Sequence, residues 1–330
     1  MTRQSLRQLY HGLLQTDVIL PRFVPIGVYK PIVDSGKTIH WYDVPNDLQI
    51  DQEHIRSMKL NPATTIFHYV HQFGIHVPDN VEFIRSLQRE GYFIVDDRSL
   101  TLPVDKYEEF GDATAYSFYK LIGIPCGGEV RTKEVRTSVI NLQDEANRRL
   151  IRKMKQNFIF YANPVNALVP SAVFRVFNRA FSRYVEYGHL VDKAFADSLP
   201  QLPEPLVQHI DNADFNAVSR RRAEIARMFY NGLSPALLLP LPLESFTRQS
   251  MMGFPILSED PVALLKMLVR RGITTFRFTK IWWWDTSRPF CDLYVRNLLL
   301  PAHQGLSDAN VRTIIRHVNE SVAIIAADRR

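Results

Sequence analysis

The stretch "PDNVEFIRSLQREGYFIVDDRS", residues 78–99, decides the fold: an amphipathic helix stopped by a glycine runs directly into an apolar strand. The same alternation precedes it. "DVILP" (17–21) reads as a short buried strand, a helix follows through Val28 and Ile32, and "KTIHWYDV" (37–44) alternates like a strand. "DQEHIRSM" is helical again, and "TTIFHYVHQFG" is a β-rich run closed by Gly74. Strand and helix in repeated succession imply a parallel sheet covered on both faces, with ligands gathering at the carboxyl ends of the strands. The strand Phe93 to Val95 ends there in Asp96 and Asp97, and neighbours on a strand point to opposite sides, so only one of the two can face a site. Both also fit as simple caps of a loop or helix.

Beyond Leu142 the chain is helical in character up to about Leu199, and a proline-containing break, "SLPQLPEPLVQ" (198–208), follows. From Phe215 a long helix leads to a strand, "GFPIL", then a helix, "PVALLKMLVRRGI", a strand, "TTFRF", and a last helix for which Ser307 is well placed as N-cap. The expected organisation is a large domain over residues 1–214 and a smaller α+β domain over 215–330. Internal repeats and low-complexity segments are absent from the sequence.

With 330 residues, 46% of them hydrophobic and 22% charged, the composition is that of a folded protein. A net charge of +6 suits an anionic small molecule, but the dense basic clusters "RKMK" (152–155) and "SRRRAEIAR" (219–227) both read as solvated helix faces rather than a nucleic-acid stripe. The two cysteines, Cys126 and Cys291, have neither metal-ligand nor disulfide-framework spacing, which suits a reducing compartment. "MTRQSLRQLYHGLL" lacks the features of a signal peptide, and the longest apolar run, from Leu233, is cut by three prolines. The expectation is a soluble cytoplasmic protein with no membrane partner.

One residue breaks the apolar pattern. In "AYSFYKLIGIPCGGEV" (115–130), Lys120 stands between an apolar run and a glycine pair. Burying an unpaired ammonium is costly, so the lysine is paired, deprotonated or turned to solvent. A snorkelling lysine on a strand edge satisfies the pattern as well as an enclosed amine does.

Taken in order, "DVILPRFVPIGVYKPIVDSGKTIHWYDV", "HYVHQFGIHVPD", "YFIVDDRSLTL", "YSFYKLIGIPCGGEV" and "LLLPAHQGLSDANV" resemble the DegT/DnrJ/EryC1/StrS family over nearly the whole chain. The resemblance implies an α/β chain of the aspartate aminotransferase-like fold type I. It implies pyridoxal 5′-phosphate as cofactor and, for most members, transfer of an amino group to a keto group of a nucleotide-linked sugar. Carried onto this sequence, Lys120 becomes the lysine that holds the cofactor as a Schiff base; an enclosed, desolvated amine is suited to attack an aldehyde. Ser117 falls near the cofactor phosphate, and Gly127 and Gly128 match the glycine pair that follows. The family's aspartate falls on Asp97, whose role is to keep the pyridine nitrogen protonated, so that Asp96 faces away. His71 and Gly74 match a family stretch in which His71 reads as structural support. His303 and Gln304 fit either an approach to substrate or packing.

Several positions depart from the family pattern. The helix start that holds the phosphate by its backbone N–H groups can be aligned only at Thr2 and Arg3, which leaves the cradle incomplete or carried by Arg3, Gln4 and Ser5. A misassigned start codon accounts for the same observation. The aromatic that stacks on the cofactor ring is Pro25 here, with Phe23 nearby as a substitute, and the glutamine or histidine three residues beyond the aspartate is Leu100. The resemblance implies an aminotransferase with an amino-acid donor such as glutamate and a homodimeric assembly. Two other readings fit the same residues: a catalytically impaired relative serving as a partner or regulatory subunit, and a cofactor-dependent elimination or dehydration enzyme. The tryptophans Trp282, Trp283 and Trp284 suit a substrate mouth, an interface or plain core.

Overall fold

The computed structural model describes residues 2–104, 108–122, 124, 127–132, 136–138, 204–278 and 291–328, with the backbone alone for 2–4, 136–138 and 204–206. Cys126, the segment from Leu142 to Leu199 expected to be helical, and Trp282, Trp283 and Trp284 lie outside the described residues.

Helix α1 (Thr2–Gly12) leads into β1 (Asp17–Pro21), followed by α2 (Ile26–Asp34), β2 (Thr38–Tyr42), α3 (Gln52–Ser57), β3 (Thr65–Val70), α4 (Pro78–Arg89), β4 (Phe93–Arg98) and β5 (Ala113–Tyr116). These strands form one parallel array in the order β2-β1-β3-β4-β5. The sheet is not parallel throughout, because β6 (Glu129–Thr132) and β7 (Arg136–Ser138) extend it as antiparallel strands. The connection of residues 117–128 after β5 turns the chain back, and among its described residues only the 3-10 turn Phe118–Lys120 is helical.

Strand periodicity sorts the side chains into two buried clusters. Val18, Leu20, Ile66, Val70, Val95 and Ala115 pack with Leu6 and Tyr10 of α1 and Val28 and Ile32 of α2. On the opposite face, Ile19, Phe67, Tyr69, Ile94 and Tyr116 belong to a cluster that continues through Phe83 and Leu87 of α4 into the second half of the chain.

That second half contains α5 (Glu204–Asp211), α6 (Phe215–Gly232), α7 (Leu243–Thr247), β8 (Gly253–Leu257), α8 (Pro261–Arg270), α9 (Asp292–Arg296), β9 (Asn297–Pro301) and α10 (Asp308–Asp328). Side-chain caps start three of these helices: Asp214 accepts from the Ala217 N–H at 2.8 Å, Asp260 from Ala263 at 2.9 Å, and Ser307 from Asn310 at 3.2 Å. β8 and β9 pair antiparallel. "TTFRF" is not a strand: it contributes one isolated bridge, between Phe276 and Leu299. The proline-rich break is also shorter than its sequence reads, since helix forms from Glu204 onward, where the last proline occupies an early helical position that tolerates it. Among the described residues no helix is long and apolar enough to cross a membrane.

The basic run of α6 is not a uniformly solvated face. Arg221 pairs at the surface with Glu224 and Asp308, whereas Arg222 is 1% exposed. Its guanidinium donates to the carbonyls of Met251 (2.6 Å), Met252 (3.3 Å), Ala302 (3.3 Å) and Leu121 (3.0 Å) and to the side-chain oxygen of Gln304 (3.0 Å). Burial pushes this group down to about 9, so it stays charged at neutral pH, and the converging carbonyl dipoles compensate the charge. Replacing Arg222 by methionine keeps the length of the stem and strands these acceptors. The expected loss is about 3–5 kcal/mol, read as a drop in the urea midpoint.

Candidate functional site

The carboxyl ends of β3, β4 and β5 bring together most of the chemistry singled out above. Asp96 and Asp97 end β4 with exposures of 0% and 1%, and they face opposite sides of the sheet. Asp97 shares its face with Val95 and Val70 and looks toward α1. Its Oδ1 accepts the Ser99 backbone N–H at 2.9 Å, so it caps the turn, and its Oδ2 lies 3.2 Å from Nε2 of His68 on β3. Burial alone would raise this carboxyl; the His68 contact and the Ser99 N–H outweigh it and hold Asp97 below the usual carboxylate range.

Asp96 has a different set of partners. His71 Nε2 approaches its Oδ1 at 2.8 Å, and Arg98 Nε donates to Oδ2 at 2.7 Å. These contacts overcome burial and keep Asp96 ionised as well. Arg98 continues to the Glu108 carbonyl at 2.7 Å and forms one wall of a cavity of about 320 Å³ with His76, Arg85, Phe110 and Arg248. His71 thus supports the carboxylate that faces away from α1. Gly74 next to it is required by geometry: its φ is +82°, and a Cβ there would stand 2.4 Å from the Leu100 carbonyl oxygen.

Lys120 ends a short 3-10 turn, Phe118–Lys120, directly after β5. It is half-buried and stands off the strand, with its Nζ 6.0 Å from the centre of the Tyr119 ring. The next carbonyl, that of Leu121, is held from two directions, by Arg222 and by the Gln304 amide, each at 3.0 Å. Gln304 therefore supports the lysine turn. Gly127 closes the same loop with φ +141°, its carbonyl accepting the Tyr119 N–H at 3.4 Å, and a Cβ there would meet Ile124 at 2.8 Å. Ser117, at the start of the turn, is buried.

The start of α1 reaches this end of the sheet. The helix leads down to Asp17, and Thr16 bonds the Thr64 carbonyl at the amino ends of the strands, so α1 runs antiparallel to them. Tyr10 meets His68 at mid-strand through its hydroxyl. Ser5 lies five residues back along α1, about 7 Å at the helical rise, and Val70 lies about 7 Å forward along β3. Along the helix axis this sets Ser5 roughly level with Val70, whose strand partner is Asp97, while five residues turn its side chain about 140° around α1 from Tyr10. Its hydroxyl is buried and has no hydrogen-bond partner among the described residues. Arg3 and Gln4 share the first turn of α1, with side chains outside the described set.

Phe23 stands apart from this group. Its ring packs at 5.6 Å from Phe73 and 6.3 Å from Phe278, in the cluster on the sheet face of Asp96. Pro25 initiates α2, and Leu100 packs against the same core as Phe23. None of these three presents a ring beside Asp97. The sequence reading missed His68, which stood unremarked in "HYVH" beside His71, and it missed Tyr10. Only the pairing of β3 with β4 places His68 next to Asp97.

No protein-family model matches the sequence, and no curated protein matches it. Solved structures do. PseC of Helicobacter pylori, an aminotransferase involved in pseudaminic acid biosynthesis, superposes with a TM-score of 0.64 at 17% identity, covering 98% of this chain and 85% of its own. A DegT DnrJ EryC1 StrS aminotransferase from Brucella abortus gives 0.60 at 18% identity over 97% and 83%. Spr1654 of Streptococcus pneumoniae, described as a sugar aminotransferase, gives 0.63 at 16% identity over 100% and 86% in its PMP form. The chain has the fold of these aminotransferases. That fold places the residues just described on the scaffold that the sequence resemblance implied.

His303 follows β9 and is 5% exposed, and neither ring nitrogen has a hydrogen-bond partner among the described residues. Burial, with the Arg222 charge adding to it, pushes the imidazole down to about 4. Below pH ~6.5 the unfolded chain takes up a proton that the folded ring refuses, so stability falls between pH 6.5 and 4. The expected cost at pH 4.5 relative to pH 7 is about 2 kcal/mol. Urea titrations at the two pH values should show His303→Leu losing less stability on acidification than the parent protein.

Proposed function

We propose that the chain is a pyridoxal-phosphate-dependent aminotransferase acting on a keto sugar, with an amino acid such as glutamate as donor. Three observations support this reading: Asp97 is ionised near the carboxyl end of β4, the Lys120 turn follows its neighbour β5 directly, and the Ser5 hydroxyl of α1 has no hydrogen-bond partner among the described residues. Each fits a different part of the cofactor. An ionised, buried carboxylate matches a protonated pyridine nitrogen, and Asp97 retains lone pairs beyond the two contacts it makes. A phosphate oxygen would satisfy the Ser5 hydroxyl, and the N-terminal turn of α1 adds backbone N–H groups and the positive end of the helix dipole. Spr1654, which shares the fold, occurs in both a PLP and a PMP form.

Bound there, the cofactor supplies an electron sink for the carbanion formed at the donor's α-carbon. Lys120 is the residue that would hold the aldehyde end, and its free amine would be the base that carries the proton to and from that carbon. Asp97 keeps its charge opposite the ring nitrogen, with Ser99 and His68 fixing both oxygens. The Arg222 and Gln304 bonds to Leu121 keep the lysine turn from drifting when Lys120 changes its bonding. The large and small domains, 1–214 and 215–330, follow the two sheets, and a homodimer is the proposed assembly. The net charge of +6 is compatible with a diphosphate-bearing sugar.

Purified protein mixed with pyridoxal phosphate should develop a visible absorbance band that bleaches on addition of L-glutamate, and Lys120→Ala should show neither band nor turnover. A wild-type band that persists with glutamate would favour elimination or dehydration chemistry. Complete absence of a band would favour the non-catalytic partner subunit.

A further inference from the structure

Asp97 is one end of a buried chain that crosses from β4 through β3 to α1. His68 approaches Oδ2 with Nε2, and its other nitrogen, Nδ1, bonds the Tyr10 hydroxyl. Tyr10 and His68 are both 0% exposed, and their rings stack with centroids 6.1 Å apart. Directions follow from chemistry. An ionised Asp97 can only accept, so Nε2 must carry a proton. Burial and the nearby Asp97 charge raise the Tyr10 phenol well above its ordinary value, so it keeps its proton and needs an acceptor. Nδ1 is the acceptor within reach, and it must therefore offer a lone pair.

We propose that Tyr10 and His68 are positioning residues for Asp97: Tyr10 donates to Nδ1 and locks the ring as the Nε2–H tautomer, and that N–H fixes the Asp97 carboxylate. With the Ser99 N–H on the other oxygen, the carboxylate is pinned at both ends and cannot rotate away from a ligand at the sheet edge. The chain also ties two contacts of the proposed cofactor to one rigid element. The helix that carries Ser5, the hydroxyl that would meet a phosphate, also carries Tyr10 of the relay behind Asp97. This inference rests on the cofactor reading for its purpose, although the state of His68 and Asp97 is defined in the cofactor-free protein.

Two measurements test it. In the cofactor-free protein, 15N-histidine NMR should find His68 wholly as the Nε2–H tautomer, and Tyr10→Phe, which leaves the ring in place, should release it to a mixture. In absorbance titrations with pyridoxal phosphate, with Lys120→Ala as the blank for surface lysines, His68→Leu should raise the Kd about tenfold or more. His68→Gln, whose amide can still donate to Asp97, should recover part of that loss. A His68 carrying its proton on Nδ1, a Tyr10→Phe spectrum identical to wild type, or a His68→Leu Kd equal to wild type overturns the proposal. Should His68→Leu fail to fold, the Tyr10→Phe spectrum and Kd decide alone. A locked tautomer in a protein that never binds pyridoxal phosphate supports the relay and overturns the aminotransferase reading instead.

Discussion

One buried cation braces the segments that link the two sheets of this protein. Arg222 reaches from α6 to the entrance of β8, the exit of β9 and the turn after β5, and every contact it makes is to a neutral oxygen. A guanidinium suits this role because its donors are fixed in a plane and its charge is permanent. A carboxylate partner would satisfy the charge at one point; several carbonyls satisfy it only when all the segments are in place at once. The arginine thus makes the position of the lysine turn conditional on the position of the smaller sheet.

The second constraint is the two-residue period of a strand. Asp96 and Asp97 are adjacent in sequence and separated by the thickness of the sheet, and each has its own histidine. His68 and His71 flank the end of β3 as the two carboxylates flank the end of β4. The outcome is two buried acid–imidazole pairs with different surroundings. One is braced by Arg98 beside a cavity lined by arginines and glutamates, and the other is braced by a tyrosine near the end of α1.

The alternation of strand and helix was legible because the periods of 2 and 3.6 differ plainly over the first hundred residues. Asp97 and Lys120 stood out in the sequence because each breaks an apolar pattern, and the structure sets Asp97 near the end of β4 and Lys120 in the turn after β5. Interactions that depend on distant pairing were not. His68 reads as one more residue in a β-rich run, and Arg222 reads as one of three successive arginines on a polar face, until the partners that bury them are known. The antiparallel strands β6 and β7 were hidden by the glycines and basic residues that surround them. "TTFRF" misled for the opposite reason: it has strand composition, and Phe276 meets only a single residue of β9.

α1 precedes every strand it covers, and it packs against β5 and β6, which lie far down the chain. During synthesis Leu6 and Tyr10 can meet β1 and α2 early, but the part of their surface that β5 and β6 cover waits until the sheet is almost complete. Closing so long a loop makes this docking a late, non-local step. Until then α1 is held only by the earlier elements, and the contacts of its sheet-facing side are incomplete. The affinity for an anionic cofactor would accordingly arise in a single event near the end of folding, and a cofactor that binds only the docked helix would act as a clasp on the last piece to arrive.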